Sequence, residues 1–368
     1  MELQHRQLET AWHTDPRWSG VTRGYRPTDV SRLRGSRSTR HVLAHLGASR
    51  LWNRLRDAMN SEPYVGALCA RTGNQALEQV AVGLDAIYVS TRPMAGVTQP
   101  PSTHASRARG CTASMPELVR LINRTLLRAE QEHAAEFHPR PGGARAWLAP
   151  LVAEAEAGFG GPLHTFELMK SMIHAGAAGV CFEDHLASGG KHDSGTGTAL
   201  VPTRQIIDAL RAARLAADVC GVPSVIIAQT HAGEATLLRS PSDPADHPFL
   251  TGERTAEGYF PIAGGEAMTL ARGLAVAPYA DLIGYRCTHL DLEQARRFAA
   301  AIHARFPHQL LAFRWDAPCS IPGQGRDTAS LGHKRRQLAA MGYRFQCLAS
   351  PSYASPRQAA RRAQKLGA

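Results

Sequence analysis

The chain has 368 residues, of which 43% are hydrophobic, and a formal net charge of +11. This length accommodates one large α/β barrel with an appendage, or two ordinary domains. The sequence contains no run of about 18 apolar residues and no N-terminal signal pattern. It therefore predicts a soluble, cytoplasmic protein.

The positive charge is concentrated at the two ends of the chain. Residues 1–60 hold eleven Arg against five acidic residues, and residues 333–368 hold eight basic residues and no acid. The middle of the chain is slightly acidic, which argues against a protein that reads a nucleic-acid groove. We expect no nucleic-acid partner and no membrane. A weaker alternative is a basic scaffold that binds anionic polymers through its ends.

Residues 1–62 have the charged, amphipathic pattern of a helical region. From residue 63 to 355, eight short apolar runs alternate with polar loops and helical stretches. Because the runs are uniformly apolar, they are typical of parallel strands covered on both faces, and eight strand–helix units predict a (β/α)8 barrel of the TIM type. The eight runs are Val65–Ala70, Ala86–Ser90, Trp147–Glu156, Gly179–Asp184, Ser224–Thr230, Asp281–Arg286, Gln309–Trp315 and Phe345–Ala349.

The segments between the runs complete this pattern. Two long insertions, residues 91–115 and 240–264, follow strands and therefore belong to the catalytic end of the barrel. Residues 356–368 form a short basic tail. Helices are predicted at Leu163–Ala175, Pro202–Val219, Gly265–Ala277, Asp291–Phe306 and Lys334–Met341.

Carboxylates cluster where two of the predicted strands end. Glu154 and Glu156 lie on one face of a strand, because side chains alternate with a period of two. Glu183 and Asp184 end the next strand. Several carboxylates at a barrel mouth suit a hard cation such as Mg²⁺, which prefers oxygen ligands. The alternative is a set of solvated acids at loop entrances.

Short motifs are spread over most of the chain. They include Trp12-His-Thr-Asp-Pro-Arg-Trp18, Thr72-Gly-Asn-Gln-Ala76, Glu154-Ala-Glu-Ala-Gly-Phe-Gly-Gly-Pro162, Phe182-Glu-Asp-His-Leu-Ala-Ser188 and Thr251-Gly-Glu-Arg-Thr255. These motifs are similar to those of the isocitrate lyase family, within the isocitrate lyase/phosphoenolpyruvate mutase superfamily. The resemblance runs from about residue 10 to 350, and it implies a (β/α)8 barrel with an N-terminal helical region. It also implies a homotetramer and Mg²⁺-dependent aldol cleavage of isocitrate in the glyoxylate cycle.

The catalytic loop of the family reads Lys-Lys-Cys-Gly-His, and here the matching positions are Gly190-Lys-His-Asp-Ser194. The resemblance therefore implies catalytic positions at Lys191, His192 and Ser194. His192 stands where the family has its Cys, and Ser194 where it has its His. An imidazole can shuttle a proton, so His192 is the best remaining acid/base candidate.

The substrate-binding positions of the family are also substituted. The positions carried over by the resemblance are Ser90, Thr91, Arg92, Gln229, Arg286 and Arg314. Gln229 stands where the family has an Arg that clamps substrate carboxylates, and an amide cannot reproduce a bidentate, charge-assisted contact. Among the metal-binding positions, Glu154 replaces an Asp, whereas Glu156, Glu183 and Asp184 are kept.

These substitutions leave two hypotheses open. The first is a carbon–carbon lyase with a strongly changed site, which uses Mg²⁺ or Mn²⁺ on isocitrate or a related small carboxylate held by new basic groups. The second is a non-catalytic paralogue that acts as a binding or regulatory subunit. The resemblance implies a homo-oligomer, but the short basic C-terminal segment covers little apolar surface. We therefore do not expect the tetramer of the family.

Overall fold

The structure is a computed structural model that describes residues 2–35, 39–57, 63–90, 104–135, 146–156, 160–186, 198–287, 290–315 and 328–348. The strands are β1 (Val65–Ala70), β2 (Ala86–Val89), β3 (Leu151–Glu156), β4 (Gly179–Glu183), β5 (Thr198–Leu200), β6 (Val225–Thr230), β7 (Ala235–Leu238), β8 (Phe260–Pro261), β9 (Leu282–Cys287), β10 (Leu310–Trp315) and β11 (Tyr343–Leu348). Eight of them are parallel and form a closed barrel at the centre of the structure, in the order β1-β11-β10-β9-β6-β4-β3-β2.

The predicted barrel fold is confirmed, since each of the eight apolar runs overlaps one barrel strand. Each predicted helix also overlaps an observed one. The helices are α1 (Glu2–Thr14), α2 (Pro27–Arg34), α3 (Val42–Arg56), α4 (Gly73–Ala81), α5 (His104–Ala135), α6 (Gly161–His174), α7 (Thr203–Cys220), α8 (Glu266–Val276), α9 (Leu292–Arg305) and α10 (Thr328–Ala340).

The strands are apolar on both faces because each face is buried against a different layer. One set of side chains fills the barrel and includes Val152, Cys181, Ile227, Leu282 and Phe345. The alternate set packs outward against the surrounding helices. This double burial explains why the sequence shows continuous apolar runs instead of polar–apolar alternation.

Helix α3 closes the N-terminal end of the barrel. Its Leu51 and Leu55 are 1% and 2% exposed and belong to the same apolar cluster as the barrel interior. Trp52 packs against that cluster and carries the Arg17 guanidinium 3.8 Å above its ring. The N-terminal helical region thus seals the end of the barrel opposite the strand carboxyl ends.

A buried ion-pair network fixes this end of the molecule. Asp281, which precedes β9, accepts hydrogen bonds from Arg17 Nη1 and Arg214 Nη2, both at 2.7 Å, and from the Ile226 backbone N–H. Burial opposes ionisation of this carboxyl, but the two guanidiniums and the N–H hold its pKa well below the usual value. The network joins the N-terminal region, α7 and β9.

Local capping explains where several helices begin. Asp291 accepts hydrogen bonds from the backbone N–H groups of Glu293 and Gln294 at 2.8 and 3.1 Å, as expected of an N-cap at the start of α9. Thr72 caps α4 in the same way. At the other end of α7, Gly221 adopts φ +67°, a conformation that favours glycine at a helix C-terminus.

Two features were not expected from the sequence. Helix α5 begins at His104, inside the segment interpreted as a loop insertion over residues 91–115. The segment around residues 240–264 contributes β8 to a small sheet with β5 and β7, beside the barrel. The proposed division of the chain at residues 62 and 355 stays a prediction. In the described part of the chain, no helix combines the length and apolar character needed to cross a bilayer.

Candidate active site

A layer of polar side chains lines the barrel interior near the carboxyl ends of the strands. It comprises Tyr88 on β2, Glu154 on β3, Glu183 on β4, Gln229 on β6 and Arg314 on β10, all between 0% and 6% exposed. In the strand register Glu154 lies beside Cys181, and Glu183 lies beside Gln229. Polar groups at this end of a barrel are the usual location of an active site.

Arg314 links the two inward carboxylates. Its Nη1 donates to Glu183 Oε1 at 2.7 Å and lies 3.5 Å from Glu154 Oε2. The same atom donates to the Tyr88 hydroxyl at 3.3 Å. Burial disfavours the charge on Arg314, but Glu154 and Glu183 outweigh it and hold the pKa well above the usual value. The guanidinium is therefore a fixed cation inside the barrel.

Glu183 also contacts two imidazoles. His231 Nε2 lies 3.0 Å and His185 Nδ1 lies 3.4 Å from Glu183 Oε2. The two rings stack with their centroids 4.4 Å apart. Both histidines were missed as site residues in the sequence. A period of two places His185 on the face of Glu183 and His231 on the face of Gln229, so strand alternation would have found them.

Asp184 does not belong to the inward layer. Its Oδ2 accepts hydrogen bonds from Thr230 Oγ1 at 2.6 Å and from Arg272 Nη1 at 3.0 Å, and its Oδ1 accepts from the His231 backbone N–H at 2.8 Å. Arg272 also donates to Asp246 at 2.9 Å. Asp184 therefore holds the ends of β4 and β6 against α8, which differs from the predicted grouping with Glu183.

Cys181 does not supply a replacement for the catalytic thiol of the family. It is 1% exposed, and its thiol lies 3.5 Å from Gln229 Oε1 as a hydrogen-bond donor. Burial and the charge of Glu183 raise the pKa of this thiol far above its usual range. A thiol that keeps its proton is neither a base nor a good nucleophile.

The amide nitrogen of Gln229 is an unused hydrogen-bond donor. Its Nε2 is buried and has no hydrogen-bond partner among the described residues. An orphaned buried donor costs free energy and marks a position where a ligand oxygen would be stabilised. Because Gln229 belongs to the inward layer, such an oxygen would lie at the barrel mouth.

The structure describes three of the remaining predicted positions. Ser90 is buried directly after β2, and Arg286 lies opposite Arg314 in the register of β9 and β10. Glu156 is placed in β3 by its backbone, opposite Glu183. The positions outside the described residues are Thr91, Arg92, Lys191, His192 and Ser194, and their roles stay predictions.

The described donors do not fit a magnesium cradle by themselves. Mg²⁺ requires several carboxylate or water oxygens in near-ideal octahedral geometry. Glu154 and Glu183 are bridged by the Arg314 guanidinium, and both oxygens of Asp184 accept hydrogen bonds from other groups. A Mg²⁺ ion coordinated by both Glu154 and Glu183 would have to compete with the buried, permanently charged Arg314 that lies between them.

Taken together, the fold and this mouth define a (β/α)8-barrel protein with a buried charged layer where barrel enzymes hold their substrates. A comparison with known sequences identifies the family. The family model "Isocitrate lyase family" matches residues 7–254 and 251–354. The chain belongs to the isocitrate lyase family, which confirms the resemblance seen in its motifs.

Individual relatives agree with this membership. The isocitrate lyase of Escherichia coli (strain K12) is 44% identical over 345 residues, which cover 93% of this chain and 79% of that protein. Isocitrate lyase 1 of Mycobacterium tuberculosis is 44% identical over 341 residues, which cover 92% and 78%. Among solved structures, an oxaloacetate acetylhydrolase in complex with the inhibitor 3,3-difluorooxalacetate superimposes with a TM-score of 0.52. At 19% identity, and with 83% of this chain and 80% of that chain covered, it supports the fold alone.

Proposed function

We propose that this chain is a carbon–carbon lyase that cleaves a small carboxylic acid other than isocitrate by an aldol-type reaction. The family and its lyase members support carbon–carbon cleavage in general. The observation that carries the proposal is the placement of Arg314 between Glu154 and Glu183 at the barrel mouth. A buried group of three charges is costly to maintain for stability alone, and it lies where barrel enzymes bind substrate.

We infer a substrate other than isocitrate from the positions of the groups that would bind its carboxylates. Gln229 occupies the position where the family resemblance implies a carboxylate-clamping Arg, and its Nε2 can donate one hydrogen bond to a substrate oxygen. Arg314 supplies the guanidinium from a different strand, β10. A substrate carboxylate would therefore be held from another side of the barrel than in isocitrate cleavage.

An aldol-type cleavage determines which proton transfers the residues of the site must perform. In an aldol-type cleavage the substrate hydroxyl loses its proton and becomes a carbonyl, the adjacent carbon–carbon bond breaks, and the carbanion released accepts a proton. His192, which the resemblance places in the catalytic loop, is the proposed proton donor. Cys181 is excluded from this role because its thiol is buried and its pKa is raised.

A divalent cation is part of the proposal, since the isocitrate lyase family generally depends on one. Mg²⁺ and Mn²⁺ are the ions that the resemblance implies, and the pairing of Glu154 and Glu183 with Arg314 favours neither of them. A cytoplasmic location, a place in small-carboxylate metabolism and a homo-oligomeric state also belong to the proposal.

The test is product detection with the full chain. The protein is incubated with isocitrate, methylisocitrate and a panel of 2-hydroxy di- and tricarboxylic acids, with and without a divalent cation, and the products are followed by proton NMR. We expect an aldehyde or keto acid from at least one acid other than isocitrate. Arg314→Lys should abolish that product. Arg335→Lys is the matched control, because Arg335 is equally buried at 4% exposure and hydrogen-bonds Gln346 instead of the inward carboxylates.

A second candidate is a non-catalytic paralogue that binds a carboxylate as a regulatory subunit. The same Arg314 pairing favours it, because the guanidinium neutralises carboxylates that would otherwise serve a cation. Calorimetric binding of an acid from the panel without any cleavage would establish this candidate and contradict the lyase.

A further inference from the structure

Glu183, His185 and His231 form a compact cluster of potential metal ligands at the barrel mouth. Each residue offers one ligand atom, and the three atoms lie within 4.8 Å of one another. All three residues are buried, with exposures of 0%, 7% and 4%. The cluster joins the end of β4 to the end of β6, which are neighbours in the barrel.

The distances within the cluster correspond to those of a coordination shell. Both imidazole nitrogens face the same oxygen, Glu183 Oε2, at 3.0 Å from His231 and 3.4 Å from His185. With metal–ligand bonds of about 2.0–2.1 Å, neighbouring ligand atoms lie about 3.0 Å apart in an octahedron and about 3.3 Å apart in a tetrahedron. The two nitrogen–oxygen distances thus match those of a coordination shell, and the two imidazole nitrogens lie within 4.8 Å of each other.

The groups around the cluster hold its ligands in place. The second carboxylate oxygen of Glu183 accepts a hydrogen bond from Arg314 at 2.7 Å. The backbone N–H of His231 donates to Asp184 at 2.8 Å, and Thr230 Oγ1 donates to the same carboxylate. Such outer contacts orient metal ligands and raise the affinity of a site.

We propose that Glu183, His185 and His231 bind a first-row transition-metal dication such as Zn²⁺, in place of the Mg²⁺ of a carboxylate cradle. Two imidazoles and one carboxylate form the donor set of borderline metals, whereas Mg²⁺ prefers oxygen ligands alone. The inference rests on the proposed lyase function for the role of the ion, although binding itself is measured without turnover.

The proposed ion also makes the mouth suitable for an anion. Glu154, Glu183 and Arg314 together carry one net negative charge when both histidines are neutral, which repels a carboxylate substrate. A bound dication changes this to one net positive charge. Opposite charges at short range in a buried site attract strongly, so metal binding and substrate binding should reinforce each other.

A second cluster on the protein surface provides an internal control. His41, His174 and Cys220 also offer ligand atoms within 4.8 Å, in a cleft of about 640 Å³ between α3, α6 and α7. The cleft is lined by Arg34 and Lys170, which repel a cation. Burial raises the pKa of the Cys220 thiol to about 11, so a metal must displace its proton at neutral pH. This cluster is the weaker ligand set.

The experiment measures metal binding to the full chain after removal of metals with a chelator. Zinc and magnesium binding are titrated by calorimetry, and bound metal is counted by mass spectrometry. The variants are His185→Gln and His231→Gln, and the control is His174→Gln. We expect one tightly bound zinc in the wild type and in His174→Gln, an affinity at least about tenfold lower in the other two, and no displacement by Mg²⁺. Equal zinc affinity in His231→Gln, or loss of zinc in His174→Gln, would overturn the proposal.

A measurement on the wild type alone covers the case in which a variant does not fold. Zinc-edge X-ray absorption should show nitrogen and oxygen ligands only, whereas a sulfur ligand would assign the ion to a site that contains a cysteine and contradict the proposal. The lyase proposal and the metal-site proposal can also be contradicted independently of each other. Bound zinc without cleavage of any acid contradicts the lyase and keeps the metal site. Cleavage that needs Mg²⁺ in a chain that binds no zinc contradicts the metal site and keeps the lyase.

Discussion

Arg314 Nη1 lies 2.7 Å from Glu183 Oε1, inside a barrel where both side chains are almost completely buried. This contact joins β10 to β4 across the barrel interior and places a guanidinium where the family resemblance implies substrate and metal. This pair is the main difference between the barrel mouth and the site that the family resemblance implies.

The first prediction concerns the stability of this pair. Arg314→Met leaves Glu183 and Glu154 as like charges without their guanidinium, so the free energy of unfolding should fall by about 3–5 kcal/mol. Urea denaturation followed by circular dichroism measures the change. Arg297→Met, which breaks an exposed pair with Glu266, should have a far smaller effect. Equal losses in the two variants would show that the Arg314 pair is not a buried charge pair.

A second prediction concerns acid stability. The pKa of Asp281 is lowered in the folded state, so the unfolded chain binds the proton first as the pH falls below about 4. The contribution of Asp281 is therefore complete above that pH and is lost progressively at lower pH. Asp281→Asn should lower the free energy of unfolding at pH 7 by about 3–5 kcal/mol and flatten its dependence on pH below 4.

The control for Asp281 is Asp208→Asn on the surface of α7, where Asp208 contacts Arg204 at 3.2 Å with both side chains partly solvated. Denaturation curves over a pH series should follow those of the wild type in this variant. An Asp281→Asn protein with the same acid profile as the wild type would disprove the assigned ionisation.

The third prediction concerns thiol reactivity. Cys181 should remain unmodified by iodoacetamide in the native protein, because it is 1% exposed and burial raises its pKa. Alkylation of Cys220 should increase as the pH rises toward its pKa of about 11. Peptide mass spectrometry of protein labelled between pH 7 and 10 measures both sites, and Cys220→Ser identifies the second adduct. Rapid labelling of Cys181 at pH 7 would mean that it is an accessible thiolate.

The fourth prediction concerns Arg272, which ties Asp184 to Asp246. Asp246 in turn accepts hydrogen bonds from the Thr203 backbone N–H and hydroxyl at 2.8 and 2.7 Å. Arg272→Met should lower the free energy of unfolding by about 3–5 kcal/mol and increase hydrogen exchange at the start of α7. Arg296→Met, on the exposed face of α9, is the control. Unchanged exchange at Thr203 would show that Arg272 does not hold this junction.

The barrel could be predicted from the sequence because its physical signal is local. Each strand is a short apolar run bounded by polar turns, and double burial makes the runs uniform. Helix α5 was not among the predicted helices, and the Pro, Ser and Thr content of residues 91–115 predicted a loop where the helix begins. The small sheet was missed because β8 has only two residues, too few for a recognisable pattern.

The candidate site could be predicted only in part. The alternation rule that places Glu154 on one face with Glu156 also separates Glu183 from Asp184, and applying it to β4 would have placed Asp184 outside the barrel. The contact of Arg314 with Glu183 joins residues 131 positions apart. No local pattern specifies such a pairing, because it depends on how the barrel closes.

We propose that the Arg314-bridged mouth does not perform ordinary isocitrate cleavage. The most direct test compares glyoxylate formation from isocitrate by this chain and by the Escherichia coli isocitrate lyase under the same conditions, with Mg²⁺, Mn²⁺ and Zn²⁺ in turn. Removal of a single acid/base group lowers rates by about 10²–10⁴-fold, so we predict turnover at least 10²-fold below that of the relative. Turnover within about tenfold of the relative would contradict the account, since such a small loss is less than one missing acid/base group produces.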